Sequence, residues 1–169
     1  MQLLPETLER MRSVLYFCSS MGRQSEEQST PDDLAVRRRF LRAALAEFAS
    51  LDEATAIDMK ATRKTVAKML ELDDPRIHIV RLLRHANVHL AVSDVTQSCR
   101  DVEWANHEFQ FQIFYSKDLK ASILQTAQAP KYAVDDLAEM IQWLEEEQME
   151  WGLDHLILRT AELYAHLVL

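Results

Sequence analysis

The segment Asp74-Pro-Arg-Ile-His-Ile-Val-Arg-Leu-Leu-Arg-His-Ala-Asn-Val-His-Leu90 carries the most information about this chain. Pro75 follows two acidic residues, which suits the first turn of a helix, where a missing N–H costs nothing and acidic side chains favour the helix dipole. The spacing predicts a helix over about residues 75–92. At about 100° per residue, its apolar side chains fall in one core-facing arc of about 100°. These are Ile79, Leu82, Leu83, Ala86 and Leu90.

A second side of the same predicted helix collects cationic and titratable groups. His78, Arg81, His85 and His89 share an arc of about 80°, with Arg84 beside them. We call these five residues the cationic ridge. Three of the six histidines of the chain lie in it. Such a ridge suits contact with a polyanion, and it equally suits pairing with an acidic surface.

Helical periodicity extends over most of the remaining chain. Apolar residues at three- and four-residue steps predict a helix over about 6–21 and a long second helix from about Asp32. The second helix is expected to end or bend near 50–52, with a further helical stretch to about Glu71. Another helix is predicted near 117–128, and one or two more over about 133–168, with Gly152 as the point of separation.

One segment has the alternation of a strand. In residues 107–115 a period of two places Phe109, Phe111, Ile113 and Tyr115 on one face and Glu108, Gln110, Gln112 and Phe114 on the other. A lone strand leaves its backbone groups unpaired, so it needs a hairpin partner or a second subunit. The predicted fold class is therefore all-α, a helical bundle with one short β element, in a single domain over 1–169.

Composition excludes several classes of protein. With only 2 Gly, neither flanked by another, a glycine-rich nucleotide-binding loop is excluded. Cys18 and Cys99 are too few for a disulfide framework or a thiolate zinc site. The sequence has no apolar run of about 18 residues and no leader-like start, which predicts a cytoplasmic protein that does not enter a membrane. No cofactor is expected.

Charge is unevenly distributed along the chain, which has a net charge of −8. Residues 1–100 carry 15 basic and 14 acidic groups, whereas residues 101–169 carry 4 basic and 13 acidic groups. The ridge thus belongs to a locally basic part of an acidic molecule. This argues against nonspecific nucleic-acid binding, but it allows a polyanion to contact one face.

The residues Arg84-His85-Ala-Asn-Val-His89 resemble the signature of the HEPN superfamily, in which Arg and a following polar residue precede a His. The resemblance implies an all-helical, metal-independent ribonuclease of a toxin–antitoxin or phage-defence type. It makes Arg84 and His89 the catalytic pair and His85 a supporting residue, with Arg81 and Asn87 beside them. It also implies a homodimer in which two motifs meet, an RNA substrate, and an antitoxin or regulatory protein as a further partner.

The residue types suit this chemistry. A His with a pKa near ~6.5 can accept or donate a proton around neutrality, so two copies would supply a base for the 2′-OH and an acid for the leaving oxygen. The guanidinium of Arg84 offers a fork of donors to phosphate oxygens and keeps its charge. The resemblance implies that the product is a 2′,3′-cyclic phosphate. Arg100 to His107 and Arg159 to His166 have similar spacing, but a predicted strand and Thr160, respectively, depart from the signature.

Other interpretations remain open at this point. The ridge could pair with Glu145, Glu146, Glu147 and Glu150 in a non-catalytic helical interaction or scaffold protein. Alternatively, His85 and His89 have a spacing that can hold zinc on one helix face, although a third ligand is not evident. His107, His155 and His166 are expected to be structural or surface residues. The run Arg37–Arg39 with Arg42 is expected to form a solvated helix face, with contact to an RNA backbone as the alternative. Trp104, Trp143 and Trp151 are expected to be core or dimer-interface anchors.

Overall fold

The computed structural model describes residues 4–22, 31–61, 67–86, 94–104, 107–117, 119–121, 124 and 132–168. Within these ranges the chain is mostly helical, as predicted. The α-helices are α1 (Pro5–Gly22), α2 (Pro31–Ala61), α3 (Pro75–His85), α4 (Val134–Trp151) and α5 (Leu153–Val168). A 3₁₀ turn spans Met69–Glu71, and the strands are β1 (Asp94–Trp104) and β2 (His107–Lys117).

The beginning of α1 is held by a carboxylate from α2. Asp58, which is buried, accepts hydrogen bonds from the backbone N of Thr7 at 2.8 Å and from Thr7 Oγ1 at 2.8 Å. The backbone N of Glu6 donates to the same carboxylate at 3.3 Å. The first N–H groups of a helix have no partner within it, so Asp58 satisfies groups that would otherwise be buried unpaired. This network fixes α1 against α2.

The second helix does not end at 50–52, because α2 continues without interruption to Ala61. Leu51 is fully buried and maintains the apolar stripe, while Ser50 Oγ donates to the carbonyl of Ala46 at 2.9 Å. The carboxylate of Asp52 accepts from the backbone N of Met69 at 2.7 Å. The burial of Leu51 favours the helical path through a sequence that resembles a boundary.

The predicted strand is confirmed, and its partner is an adjacent hairpin strand. β1 and β2 pair antiparallel, with Gln97 opposite Phe114 and Trp104 opposite His107. The buried side chain of Gln148 in α4 binds the backbone of Ser116 twice, through Ser116 N to Oε1 at 2.8 Å and Nε2 to the Ser116 carbonyl at 2.9 Å. The side-chain amide of Gln148 donates to and accepts from Ser116 as the backbone of a neighbouring strand would. It therefore holds the hairpin against α4.

The predicted separation at Gly152 is confirmed. Gly152 has a φ of +90°, and a Cβ there would lie 2.7 Å from Asp154 Oδ1. Glycine is therefore required where the chain passes from α4 to α5.

In contrast, the helix predicted near 117–128 does not begin at 117, because Lys117 pairs with Asp94 in the sheet. Residues 121 and 124 are helical, and most of that predicted helix lies outside the described residues.

The core is formed by the helices together with one face of the hairpin. α3 is its most enclosed element, since Ile77, Ile79, Val80 and Leu83 are all fully buried. Phe48 of α2, Phe114 of β2 and Tyr164 of α5 are the largest buried aromatic side chains. Among the helices described, none combines the length with the hydropathy that crossing a bilayer requires.

Candidate functional site

The residues from which the start of α3 was predicted also hold that start in the structure. Asp74 is the N-cap, with its carboxylate accepting from the backbone N of Arg76 at 2.9 Å, and Pro75 occupies the first turn. The Arg76 side chain also binds Asp74, at 3.0 Å through Nε and at 2.7 Å through Nη2. The helix is therefore held at its N-terminus, while Arg84 and His85 lie in its last turn, where positive charge is favoured by the helix dipole.

Three members of the cationic ridge are together in the structure. Arg81, Arg84 and His85 are each half-buried on α3. The pKa of Arg81 is lowered, chiefly by its burial and further by the positive charge of Arg84, while the carboxylate of Asp52 opposes the shift. Two guanidinium groups and an imidazole therefore lie in partly desolvated positions on one helix.

The counter-charge of this ridge comes from α2. Asp52 is half-buried, and burial raises the pKa of its carboxyl, opposed by the hydrogen bond from Met69 and the charges of Arg81 and Lys68. The expectation that the ridge pairs with the glutamates of 145–150 finds no support at Arg81. Glu147 instead forms its ion pair with Arg159 in α5, at 3.7 Å. The carboxylate of Asp52 in α2 is therefore a counter-charge of Arg81.

His78 does not belong to the accessible part of the ridge. It is 4% exposed, and its Nε2 lies 3.1 Å from the carbonyl of Met69. The ring of Tyr132 covers it at a centroid distance of 5.5 Å. The helical wheel placed His78 on the correct side of α3. The 3₁₀ turn and Tyr132 nevertheless cover that end of the ridge. His78 is a structural histidine that links α3 to the preceding turn.

Two of the predicted site residues lie outside the described residues. His89, the proposed acid or base, and Asn87, a supporting residue, both follow the last described position of the segment, Ala86. The described structure accordingly places Arg84, Arg81 and His85 but leaves the catalytic pair untested. For the zinc interpretation, no group of three His, Cys, Asp or Glu side chains within the described ranges could hold a metal ion.

The arginine run of α2 is only partly solvated, which corrects the expectation for Arg37. Arg37 is 4% exposed, and its guanidinium carbon lies 3.8 Å from the centroid of the Phe114 ring. Burial lowers the pKa of Arg37 to about 10, although the carboxylates of Asp33 and Asp154 oppose the shift. Arg39 and Arg42 are exposed as expected. Arg37 is thus a packing residue between α2 and the hairpin.

A cavity of about 300 Å³ lies between the start of α3 and the helices α4 and α5. Arg159 and His166, one of the alternative Arg–His pairs in the sequence, both line it, together with His155, Trp143 and Trp151. Thr160, which breaks the signature, is buried and donates to the carbonyl of Leu156 at 2.8 Å. Sequence reasoning classed His155 and His166 as structural or surface residues; they are exposed, and only the fold shows that they share a cavity.

The tryptophans differ in their exposure. Trp143 is half-buried and packs on the core, whereas Trp151 is 55% exposed. The expectation of core or interface anchors is confirmed for Trp143, and Trp151 contributes a large aromatic surface at the end of α4. Cys18 is fully buried, and burial raises the pKa of its thiol.

Comparison of the chain with family models, with curated proteins and with solved structures finds no match. The site is therefore interpreted from its own residues.

Proposed function

We propose that this protein is a metal-independent endoribonuclease of a toxin or defence type, as the resemblance of Arg84–His89 to the HEPN signature implies. In this proposal Arg84 binds the scissile phosphate and stabilises its charge during cleavage. His89 acts as general acid or base, and His85, Arg81 and Asn87 support the pair. The observation that supports the proposal is that α3 places two half-buried guanidinium groups, Arg81 and Arg84, beside His85, a grouping of donors that suits a phosphate.

The proposed reaction uses only protein side chains. One histidine removes the proton of the 2′-OH, which attacks the adjacent phosphorus, and a second histidine gives a proton to the 5′-oxygen as its bond to phosphorus breaks. One chain supplies one His89, so we propose a homodimer in which both copies serve one site. The products are a 2′,3′-cyclic phosphate and a 5′-hydroxyl end.

The test is cleavage of a 5′-labelled RNA by purified protein in the presence of a chelator. We expect cleavage with 2′,3′-cyclic phosphate ends, and His89→Ala should reduce the rate by about a hundredfold or more, as is typical when a general acid or base is removed. The matched control is His107→Ala, an exposed histidine at the beginning of β2. Cleavage that requires a divalent metal, or that is unaffected by His89→Ala, would contradict the proposal.

A second candidate is a non-catalytic helical interaction protein with the same architecture. It is favoured by the groove beside α4, in which two tryptophans and several charged side chains line adjoining cavities. If the wild-type chain cleaves no RNA under any condition while it binds a protein partner, this candidate replaces the first.

A further inference from the structure

Two cavities meet along α4 and form one groove. The cavity of about 300 Å³ and a second of about 660 Å³ both have Arg76 and Trp143 in their linings. We call this surface the α4 groove; its lining includes Arg76, Tyr132, Glu139, Trp143, Trp151 and Arg159. Arg81, Arg84 and His85, the residues proposed for RNA cleavage that the structure describes, do not line either cavity. The groove therefore requires a separate explanation.

The two arginines of the α4 groove are already paired within it. Arg76 forms an ion pair with Asp74 at 2.7 Å, and Arg159 forms one with Glu147 at 3.7 Å. Asp74 and Glu147 are themselves lining residues. A phosphate or carboxylate ligand would have to compete with these carboxylates for each guanidinium. The groove is consequently a poor site for an anion.

The remaining charge of the α4 groove is negative. Five carboxylates line the two cavities, against two guanidinium groups. Glu139 is exposed and forms no ion pair in the part of the chain that the structure describes. Asp136 accepts a hydrogen bond from the backbone N of Ala133 at 3.0 Å and, among the residues that the structure describes, forms no ion pair. The groove thus complements a positively charged ligand.

Aromatic side chains lie beside these carboxylates. Tyr132, Met140 and Trp143, all half-buried, line the larger cavity with Glu139. A guanidinium or ammonium group over the face of such a ring gains a cation–π interaction, and arginine is the side chain that most often does so. The chain already uses this contact nearby, where the guanidinium carbon of Arg100 lies 6.0 Å from the centroid of a Trp151 ring.

We propose that the α4 groove is the docking site for a basic, partly apolar segment of a partner protein. An arginine or lysine side chain of that segment lies against Trp143 and Tyr132 with its charge toward Glu139. An apolar side chain of the segment packs on the exposed part of Trp151 and on Leu163. This inference is independent of RNA cleavage, since it requires neither Arg84 nor His89.

The experiment uses the full chain and two synthetic peptides labelled with fluorescein, one with repeated Arg-Leu-Ala-Arg and one with repeated Glu-Leu-Ala-Glu. Fluorescence anisotropy should show saturable binding of the basic peptide and at least about tenfold weaker binding of the acidic one, as charge complementarity requires. Glu139→Lys should weaken binding of the basic peptide by about tenfold or more.

Glu145→Lys is the matched control, because Glu145 is exposed on the same helix, makes the same change in net charge and lines neither cavity. It should alter binding by less than about twofold, since exposed charges at a distance are screened. Equal losses in the two variants would show general attraction to an acidic protein and would overturn the proposal.

Trp143→Ala tests the aromatic contribution, with its thermal melting followed by circular dichroism because Trp143 packs on the core. A folded variant that keeps full affinity for the basic peptide would contradict the proposed contact. Two other outcomes would also overturn the proposal. One is tight binding of an oligonucleotide that Arg76→Ala and Arg159→Ala abolish, and the other is self-association through this groove that Glu139→Lys removes.

Discussion

Asp58 illustrates how a single side chain holds two helices together. Its burial acts to raise the pKa of the carboxyl, but the hydrogen bonds from Thr7 and Glu6 outweigh that effect, and the pKa lies below its ordinary value. A depressed pKa in the folded state means that the contribution to stability is present above the unfolded-state pKa and is lost as the pH falls through the folded-state pKa.

We expect Asp58→Ala to lower the free energy of unfolding by about 2–4 kcal/mol at neutral pH, because three donors at the start of α1 lose their acceptor. Urea unfolding measures this free energy. Glu53 is an exposed carboxylate of α2, so Glu53→Ala is the control and should change the free energy of unfolding by less than about 0.5 kcal/mol. The difference between wild type and Asp58→Ala should shrink below about pH 4. A difference that grows with acidification would contradict this assignment.

At the level of single residues, sequence reasoning placed the ridge but not its surroundings. The helical wheel put His78 and Arg81 on one side of α3, and both are there. It could not show that Met69 and Tyr132 close over His78, since that contact depends on segments distant in sequence. For the same reason, Asp52 was not predicted as the counter-charge of Arg81. Local periodicity orients a side chain, and tertiary packing decides whether solvent reaches it.

At the level of elements, the attachment of the hairpin to α4 depends on Gln148. Replacing it by leucine leaves the backbone N–H and carbonyl of Ser116 without their partner in a buried position. We expect Gln148→Leu to destabilise the protein by about 2–4 kcal/mol, the cost of two buried groups that lose hydrogen bonds.

Gln142→Leu is the matched control for this prediction, because Gln142 is exposed on the same helix and binds only Glu146, at 3.0 Å, among the hydrogen bonds described for it. It should change the free energy of unfolding by less than about 0.5 kcal/mol. Thermal or urea unfolding distinguishes the two variants. Similar losses of unfolding free energy in the two variants would mean that the hydrogen bonds from Gln148 to Ser116 are not what stabilises the protein.

The strand β2 was predictable and β1 was not, for a physical reason. β2 has aromatic and β-branched residues at alternate positions, which is the signal of a half-buried strand. β1 reads Asp-Val-Thr-Gln-Ser-Cys-Arg-Asp-Val-Glu-Trp and has little apolar alternation. Its strand conformation follows from pairing with β2. Likewise, Ser50 and Asp52 resemble a helix boundary, yet the burial of Leu51 carries α2 through it.

At the level of the whole molecule, the proposed nuclease requires two copies of the chain. We expect sedimentation equilibrium to give a mass of twice the 19.6 kDa chain at the concentrations at which RNA is cleaved. A homodimer brings two His89 side chains into one site, which a monomer cannot do. Full activity of a strictly monomeric species would contradict this assembly.

The charge distribution gives the molecule two differently charged surfaces. On α3 the ridge carries Arg81 and Arg84, with the carboxylate of Asp52 acting on Arg81, whereas the α4 groove has an excess of carboxylates around its aromatic side chains. The uneven charge along the sequence anticipated this contrast. The position of the groove depends on how α3, α4 and α5 pack, which the sequence pattern alone did not reveal.

The most direct test of the central claim is a double-mutant cycle on RNA cleavage in chelator, comparing wild type, Arg84→Ala, His89→Ala and the double variant. If the two side chains act on one phosphodiester, each single substitution should reduce the rate by about a hundredfold or more. The double variant should then be little slower than either single variant, because residues that act as a unit show non-additive losses. Independent small losses that multiply in the double variant, or no loss at all, would contradict a shared role of Arg84 and His89.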